Sequence, residues 1–203
     1  VQKGFVGMTL TETRPANDAA RRAMIDSQLR PSGVNEPWVL AAMANVPRED
    51  FVPESARAAA YIDRAVPLGD NRFLAAPLVH GRMLAEAAPT AGDKALLISS
   101  GSGYLEALLR PLVGSLDVVD AANVKRKKAA YTLLVIDGAV EQLPDALTAQ
   151  LANDARIVTG LVERGVTRLA AGRKAAGEVA LLPLADIGIP ILPEFAAAKS
   201  WSF

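Results

Sequence analysis

Ala95-Leu96-Leu97-Ile98-Ser99-Ser100-Gly101-Ser102-Gly103-Tyr104 decides the fold. Four apolar residues run into a small, glycine-rich turn, and Leu105-Glu106-Ala107-Leu108-Leu109-Arg110 then continues as a helix. A short apolar run that ends in such a turn reads as a buried parallel strand feeding a helix. Gly101 and Gly103 allow positive φ and the close approach of a ligand, and the amides that open the helix can face a polar or anionic group. Leu116-Asp117-Val118-Val119-Asp120 is a second strand ending in a carboxylate. Strand, glycine turn, helix, strand and terminal acid form the half-unit that holds a nucleoside, the acid bonding ribose hydroxyls. A purely structural turn accounts for the glycines as well, and the acid at the end of the next strand tips the reading toward a nucleoside site.

Outward from this unit, the chain is an α/β protein. Asn17 or Asp18 caps a helix to about Leu29, Pro37 opens a second helix that Pro47 stops, and Glu54–Ala60 is a third. Val66–Phe73 is extended or looped, and Pro77 begins a helix to about Ala88. Downstream, Tyr131–Asp137 is another buried strand, Pro144–Leu151 a helix and Ala155–Leu161 a strand. Val166–Ala171 and Val179–Pro183 form an antiparallel hairpin around residues 172–177, and Trp201-Ser202-Phe203 packs on the sheet. The organisation expected is a loose segment over 1–16 and a single domain over 17–203, with a helical part over 17–90 and a sheet core over 91–203. Strands alternating with helices give a doubly wound sheet.

The totals narrow the function. The 203 residues carry 22 basic and 22 acidic side chains, so bulk charge gives no support for a nucleic-acid partner. There is no cysteine, which excludes disulfides and thiol catalysis and suits a cytoplasmic setting. No apolar run reaches a membrane span, and Val1–Met8 does not have the pattern of a secretion signal.

Four further pieces carry a family resemblance: Met24-Ile25-Asp26-Ser27-Gln28-Leu29; Val46-Pro47-Arg48-Glu49-Asp50-Phe51-Val52-Pro53 with Ala60-Tyr61-Ile62-Asp63; Pro77-Leu78-Val79-His80-Gly81-Arg82-Met83; and Gly101-Ser102-Gly103-Tyr104. From about Met24 to the C-terminal region the chain resembles the protein-L-isoaspartate O-methyltransferases. The resemblance implies a Rossmann-like methyltransferase sheet with N-terminal helices and a C-terminal antiparallel hairpin. It further implies S-adenosylmethionine as cofactor and methylation of an isoaspartyl carboxylate in damaged proteins or peptides. The expected cofactor-binding residues are Ser99, Gly101, Ser102, Gly103, Tyr104 and Asp120. Asp137, at the end of a central strand, either contacts substrate or cofactor or caps the Gly138 turn. His80, the only histidine, reads as a surface or satisfied core residue, and no metal is expected.

The chain also departs from the family. Leu97 and Ser99 stand where the family has an acid and a glycine, so one charge-assisted contact to the amino-acid end of the cofactor is lost. Ala75, followed by Ala76 and Pro77, replaces the substrate-loop hydroxyl, leaving no firmly catalytic side chain. The interval from Asp120 to Leu133 is too short for the helix, edge strand and loop that the family places there, so an edge strand is missing or residues are absent. Methyl transfer from a sulfonium to an ionised carboxylate needs alignment and a dry pocket more than an acid–base pair. The expected function is therefore isoaspartyl methyl transfer. The alternatives are a catalytically impaired paralogue that binds a ligand or protein, and a small-molecule methyltransferase on the same fold.

Overall fold

The computed structural model describes residues 13–197 except residue 129. The predicted position of Trp201-Ser202-Phe203 therefore lies outside the described residues.

A six-stranded sheet in the order β4-β3-β5-β6-β7-β8 forms the centre of the molecule. β3 (Lys94–Ser99), β4 (Ser115–Asp120), β5 (Tyr131–Val140) and β6 (Leu151–Glu163) run parallel, while β7 (Val166–Ala175) and β8 (Glu178–Asp186) close the sheet antiparallel. β1 (Val66–Gly69) and β2 (Arg72–Leu74) form a separate hairpin. The helices are α1 (Thr13–Met24), α2 (Pro37–Asn45), α3 (Pro77–Ala87), α4 (Tyr104–Leu109) and α5 (Asp145–Thr148).

Alternation along β3 explains the layers. Ala95 and Leu97 point to one face and join the large apolar cluster with α2, α3 and α4, whereas Leu96 and Ile98 point to the other. There they meet Leu134, Ile136, Leu147, Leu192 and Phe195. This second layer is thin, because its helical cover is the four-residue α5 and a single turn at Pro193–Phe195.

Several boundaries differ from the sequence reading. The N-terminal helix begins at Thr13, inside the segment expected to be loose, and its continuation through Leu29 widens so that Arg30 N–H reaches Ile25 O at 3.1 Å. Glu54–Ala59 is a 3₁₀ helix. Residues 66–74 are a true hairpin whose turn puts Asp70 and Asn71 at positive φ, a geometry these short polar side chains tolerate. The helix expected over 144–151 shrinks to Asp145–Thr148, because Leu151 already pairs with Tyr131. The closing hairpin is longer than expected and turns on Ala176–Gly177 alone, both at positive φ, as a two-residue turn between twisted strands requires. Between Asp120 and Tyr131 the described residues form one 3₁₀ turn, Ala121–Asn123, and an irregular run, so β4 is an edge strand. No helix among the described residues is long and apolar enough to cross a membrane.

Candidate functional site

The parallel register sets Ser99 beside Asp120, so the glycine turn and the terminal acid emerge together at the C-terminal ends of β3 and β4. This is the crevice where ligands sit in open α/β sheets. Gly101 at φ +93° and Gly103 at φ +76° make the turn. A Cβ at Gly101 would meet nothing within 4 Å, so the chain leaves open space there, while one at Gly103 would touch the Phe51 ring at 3.7 Å. Phe51, from the most specific stretch of the resemblance, is thus the floor against which the turn is laid. It also packs edge-on to Tyr104, with ring centroids 5.4 Å apart.

Asp120 is half-exposed, its side chain 42% accessible. Its Oδ1 accepts from Ala122 N–H at 2.9 Å and lies 3.6 Å from the Arg72 guanidinium, leaving Oδ2 without a partner among the described residues. Arg72, on β2, also bonds Glu194. Neither residue stood out in the sequence, because their pairing joins positions 122 residues apart.

Beneath the turn lies a buried polar chain. Arg48 is fully enclosed; its Nε donates to Ala60 O at 2.6 Å, its Nη2 to Ala75 O, and its Nη1 to His80 Nδ1 at 3.2 Å. A guanidinium only donates, so His80 Nδ1 is the acceptor and the imidazole proton sits on Nε2. That N–H donates to Asp137 Oδ1 at 2.9 Å, and the Ser100 hydroxyl donates to Asp137 Oδ2 at 2.6 Å. The carboxylate is 3% exposed. Sequence reasoning left Asp137 open between ligand contact and turn cap; the structure places it under the turn, with both oxygens engaged by His80 and Ser100. His80 is a satisfied core residue. In the order Ser–Asp–His–Arg, Ser100 contacts the carboxylate and not the imidazole, so the group is not a nucleophilic triad.

The electrostatics follow from burial and pairing. Burial alone would push Asp137 up, but His80, Ser100 and Arg48 outweigh it and hold the carboxyl below its ordinary 3.8. Burial brings Arg48 down to about 10, still charged at neutral pH, and burial raises Tyr104 to about 12. A carboxyl depressed on folding stabilises the protein fully above its unfolded pKa and loses that contribution as pH falls through the lower folded value. Urea midpoints are therefore expected to fall steeply below pH 4 for the wild type, and less steeply for Asp137→Asn. Equal slopes would contradict the assignment.

The remaining predicted positions are accounted for locally. Ser99 Oγ accepts from Gly101 N–H at 3.0 Å, and Ser102 Oγ accepts from Tyr104 N–H at 3.2 Å, so both hydroxyls shape the turn. Tyr104 is fully buried and stacks edge-on to His80 at 5.3 Å and under Arg48 at 5.0 Å. Ala75 and Ala76, 2% and 9% exposed, belong to the main apolar cluster, and the Ala75 carbonyl is tied to Arg48. Leu97 is enclosed in the same cluster. Among the described residues no group of three His, Cys, Asp or Glu side chains is placed to hold a metal ion. The open space at Gly101 and the free Asp120 oxygen fit a nucleoside at its ribose end; the amino-acid end has no carboxylate at Leu97 to meet.

Comparison with known proteins bears on the family and the fold. Residues 19–123 match the model of the family described as protein-L-isoaspartate(D-aspartate) O-methyltransferase. A protein-L-isoaspartate O-methyltransferase 2 from Anaeromyxobacter sp. is 30% identical over 172 residues, covering 71% of each chain. One from Methanoculleus marisnigri is 29% identical over 203 aligned positions that cover 86% of this chain and 92% of the relative. Since 86% of this chain is fewer than 203 residues, that relative carries positions this chain lacks. A Plasmodium falciparum structure, described as a protein-L-isoaspartate O-methyltransferase in complex with S-adenosyl-L-homocysteine, superposes with a TM-score of 0.70 at 16% identity. It covers 88% of this chain and 98% of that one, and so shares the fold.

Proposed function

This chain belongs to the protein-L-isoaspartate(D-aspartate) O-methyltransferase family, and on that premise we propose that it transfers a methyl group from S-adenosylmethionine to isoaspartyl carboxylates of damaged proteins or peptides. The observation that carries the reading is the adjacency of the glycine turn and Asp120, with open space at Gly101 and a free carboxylate oxygen beside it.

S-adenosylmethionine supplies an electrophilic methyl group when bound; the chain's residues bind and align. Asp120 Oδ2 accepts from ribose hydroxyls, and the turn's backbone approaches the ligand where side chains are absent. Phe51, Tyr104 and the Ser100–Asp137–His80–Arg48 chain hold that turn in one geometry from below. The same Arg48 fixes the Ala75 carbonyl, so one buried cation registers the loop before α3 against the turn. Such registration is what in-line transfer requires, because a small misplacement of the reacting atoms costs rate steeply. An acceptor carboxylate is already ionised at neutral pH, so no general base is needed. A cytoplasmic setting belongs to this reading, in keeping with a chain without cysteine.

Position 75 offers a test at the substrate end. Ala75 is 2% exposed inside the main apolar cluster, so Ala75→Ser buries a hydroxyl there and is expected to cost about 1–3 kcal/mol of stability without raising turnover of an isoaspartyl peptide. Thermal unfolding and steady-state kinetics on the two proteins check this, and a raised turnover would show that position 75 reaches the acceptor carboxylate.

A further inference from the structure

Among the described residues nothing pairs with the outer backbone edge of β4, the last strand of the sheet on that side. A groove of about 340 Å³ runs along it, with Leu96, Ile98, Val119, Tyr131 and Leu147 in its lining. Asp117, Val118 and Val119 all line it. Consecutive strand residues point to opposite faces, so a groove that touches all three reaches the strand's edge as well as one face of the sheet. Leu96, Ile98, Tyr131 and Leu147 form its buried floor, while Val118, Val119 and Val124 stay part-exposed along it.

Between Asp120 and Tyr131 the described residues form one 3₁₀ turn and an irregular run, and none of them pairs with β4 as a strand. The wall that remains is nevertheless fixed: Gln150 Nε2 donates to Lys125 O at 3.1 Å and to Ala146 O at 2.7 Å. The opposite edge of the sheet is not equivalent, because Pro183 in the middle of β8 has no N–H to offer a partner.

We propose that the β4 edge and this groove are a docking site for an extended, acidic and apolar segment of a partner protein, added as a strand beside residues 115–119 and ending short of Asp120. Backbone pairing supplies the adhesion and alternate side chains supply the choice, as in other strand-addition sites. The apolar side chains of the segment pack on the part-exposed Val118, Val119 and Val124. The acids face the run Lys125-Arg126-Lys127-Lys128, all four of which are exposed. Lys127 makes a 3.5 Å pair with Asp117, itself half-exposed, so the run keeps a strong local excess of positive charge on a chain that is neutral overall. That excess selects against a second copy of this chain, whose own basic run would meet it, and for an acidic partner. The site is separate from the glycine turn and does not depend on methyl transfer.

The test uses the full chain and a fluorescein-labelled peptide alternating glutamate with valine and leucine, beside the same peptide with lysine in place of glutamate. Anisotropy is expected to show saturable binding of the acidic peptide and at least about tenfold weaker binding of the basic one. The triple variant Lys125→Glu, Arg126→Glu, Lys128→Glu should weaken the acidic peptide at least about tenfold as well, with its melting temperature unchanged. Equal binding of both peptides, or binding of neither, overturns the proposal. So does binding that emerges only in Trp201→Ala/Phe203→Ala, which would give the groove to the chain's own end. A stable dimer in sedimentation that the acidic peptide dissociates would give it to a second copy.

Discussion

Asp137→Ala is expected to cost the protein about 3–5 kcal/mol, the penalty for removing one partner of a buried charge pair. Asp137 is enclosed, accepts from both His80 and Ser100, and offsets the enclosed Arg48. Without it the His80 N–H loses its acceptor and the guanidinium its compensating charge, while an alanine side chain cannot fill the space. In a chain of this size the melting temperature should drop by roughly 6–20 °C. The turn would also lose its anchor at Ser100, so affinity for S-adenosylhomocysteine should fall together with stability. Thermal unfolding with and without that ligand reads both effects. A variant that melts within a degree or two of the wild type would mean that the buried chain is not the brace described.

Asp120→Ala should show the opposite separation. The side chain is half-exposed, and its contacts to Ala122 N–H and Arg72 lie at the surface, so stability should change by no more than about 1 kcal/mol. Binding is different. Hydrogen bonds from ribose hydroxyls to a carboxylate are worth about 1.5–3 kcal/mol, so S-adenosylhomocysteine should bind about 10–150-fold more weakly. Calorimetry on folded variant protein measures this directly. Unchanged affinity would remove Asp120 from the site and leave it only the role of capping the turn after β4. The two variants together separate a residue that builds the site from one that meets the ligand.

The order of strands and helices could be read from local signals because those signals are local in origin. The apolar run Ala95–Ile98 before the glycine turn, Pro77 at the head of α3, and the acid ending β4 each state their structure within a few residues. Boundaries moved where tertiary pairing overrides propensity. Leu151 was assigned to a helix by its neighbours but is taken into β6 by pairing with Tyr131. The short interval after Asp120 was legible by counting, since no crossover helix and strand fit between residues 120 and 133. Its consequence, the groove under Leu96 and Ile98, needed the structure.

The site was legible only in part. The turn and Asp120 follow from pattern, but the brace beneath them joins Arg48, His80, Ser100 and Asp137 from four elements, and no spacing announces it. The one hint was chemical. An arginine inside an apolar motif, a lone histidine on an apolar helix and an acid at the end of a buried strand each need a partner when buried, and they find one another. Arg72 and Glu194 gave no such hint, because an arginine in a short hairpin strand and a glutamate in a single turn are ordinary.

The most direct test of methyl transfer is incubation of the purified chain with methyl-labelled S-adenosylmethionine and an isoaspartyl peptide, beside the same peptide with ordinary aspartate. Base-labile label entering the isoaspartyl peptide, absent from its aspartyl twin and sharply reduced in Asp120→Ala at sub-saturating cofactor, is the predicted result. Incorporation no greater than in a heat-inactivated control, in protein that calorimetry shows to bind S-adenosylhomocysteine, would contradict it.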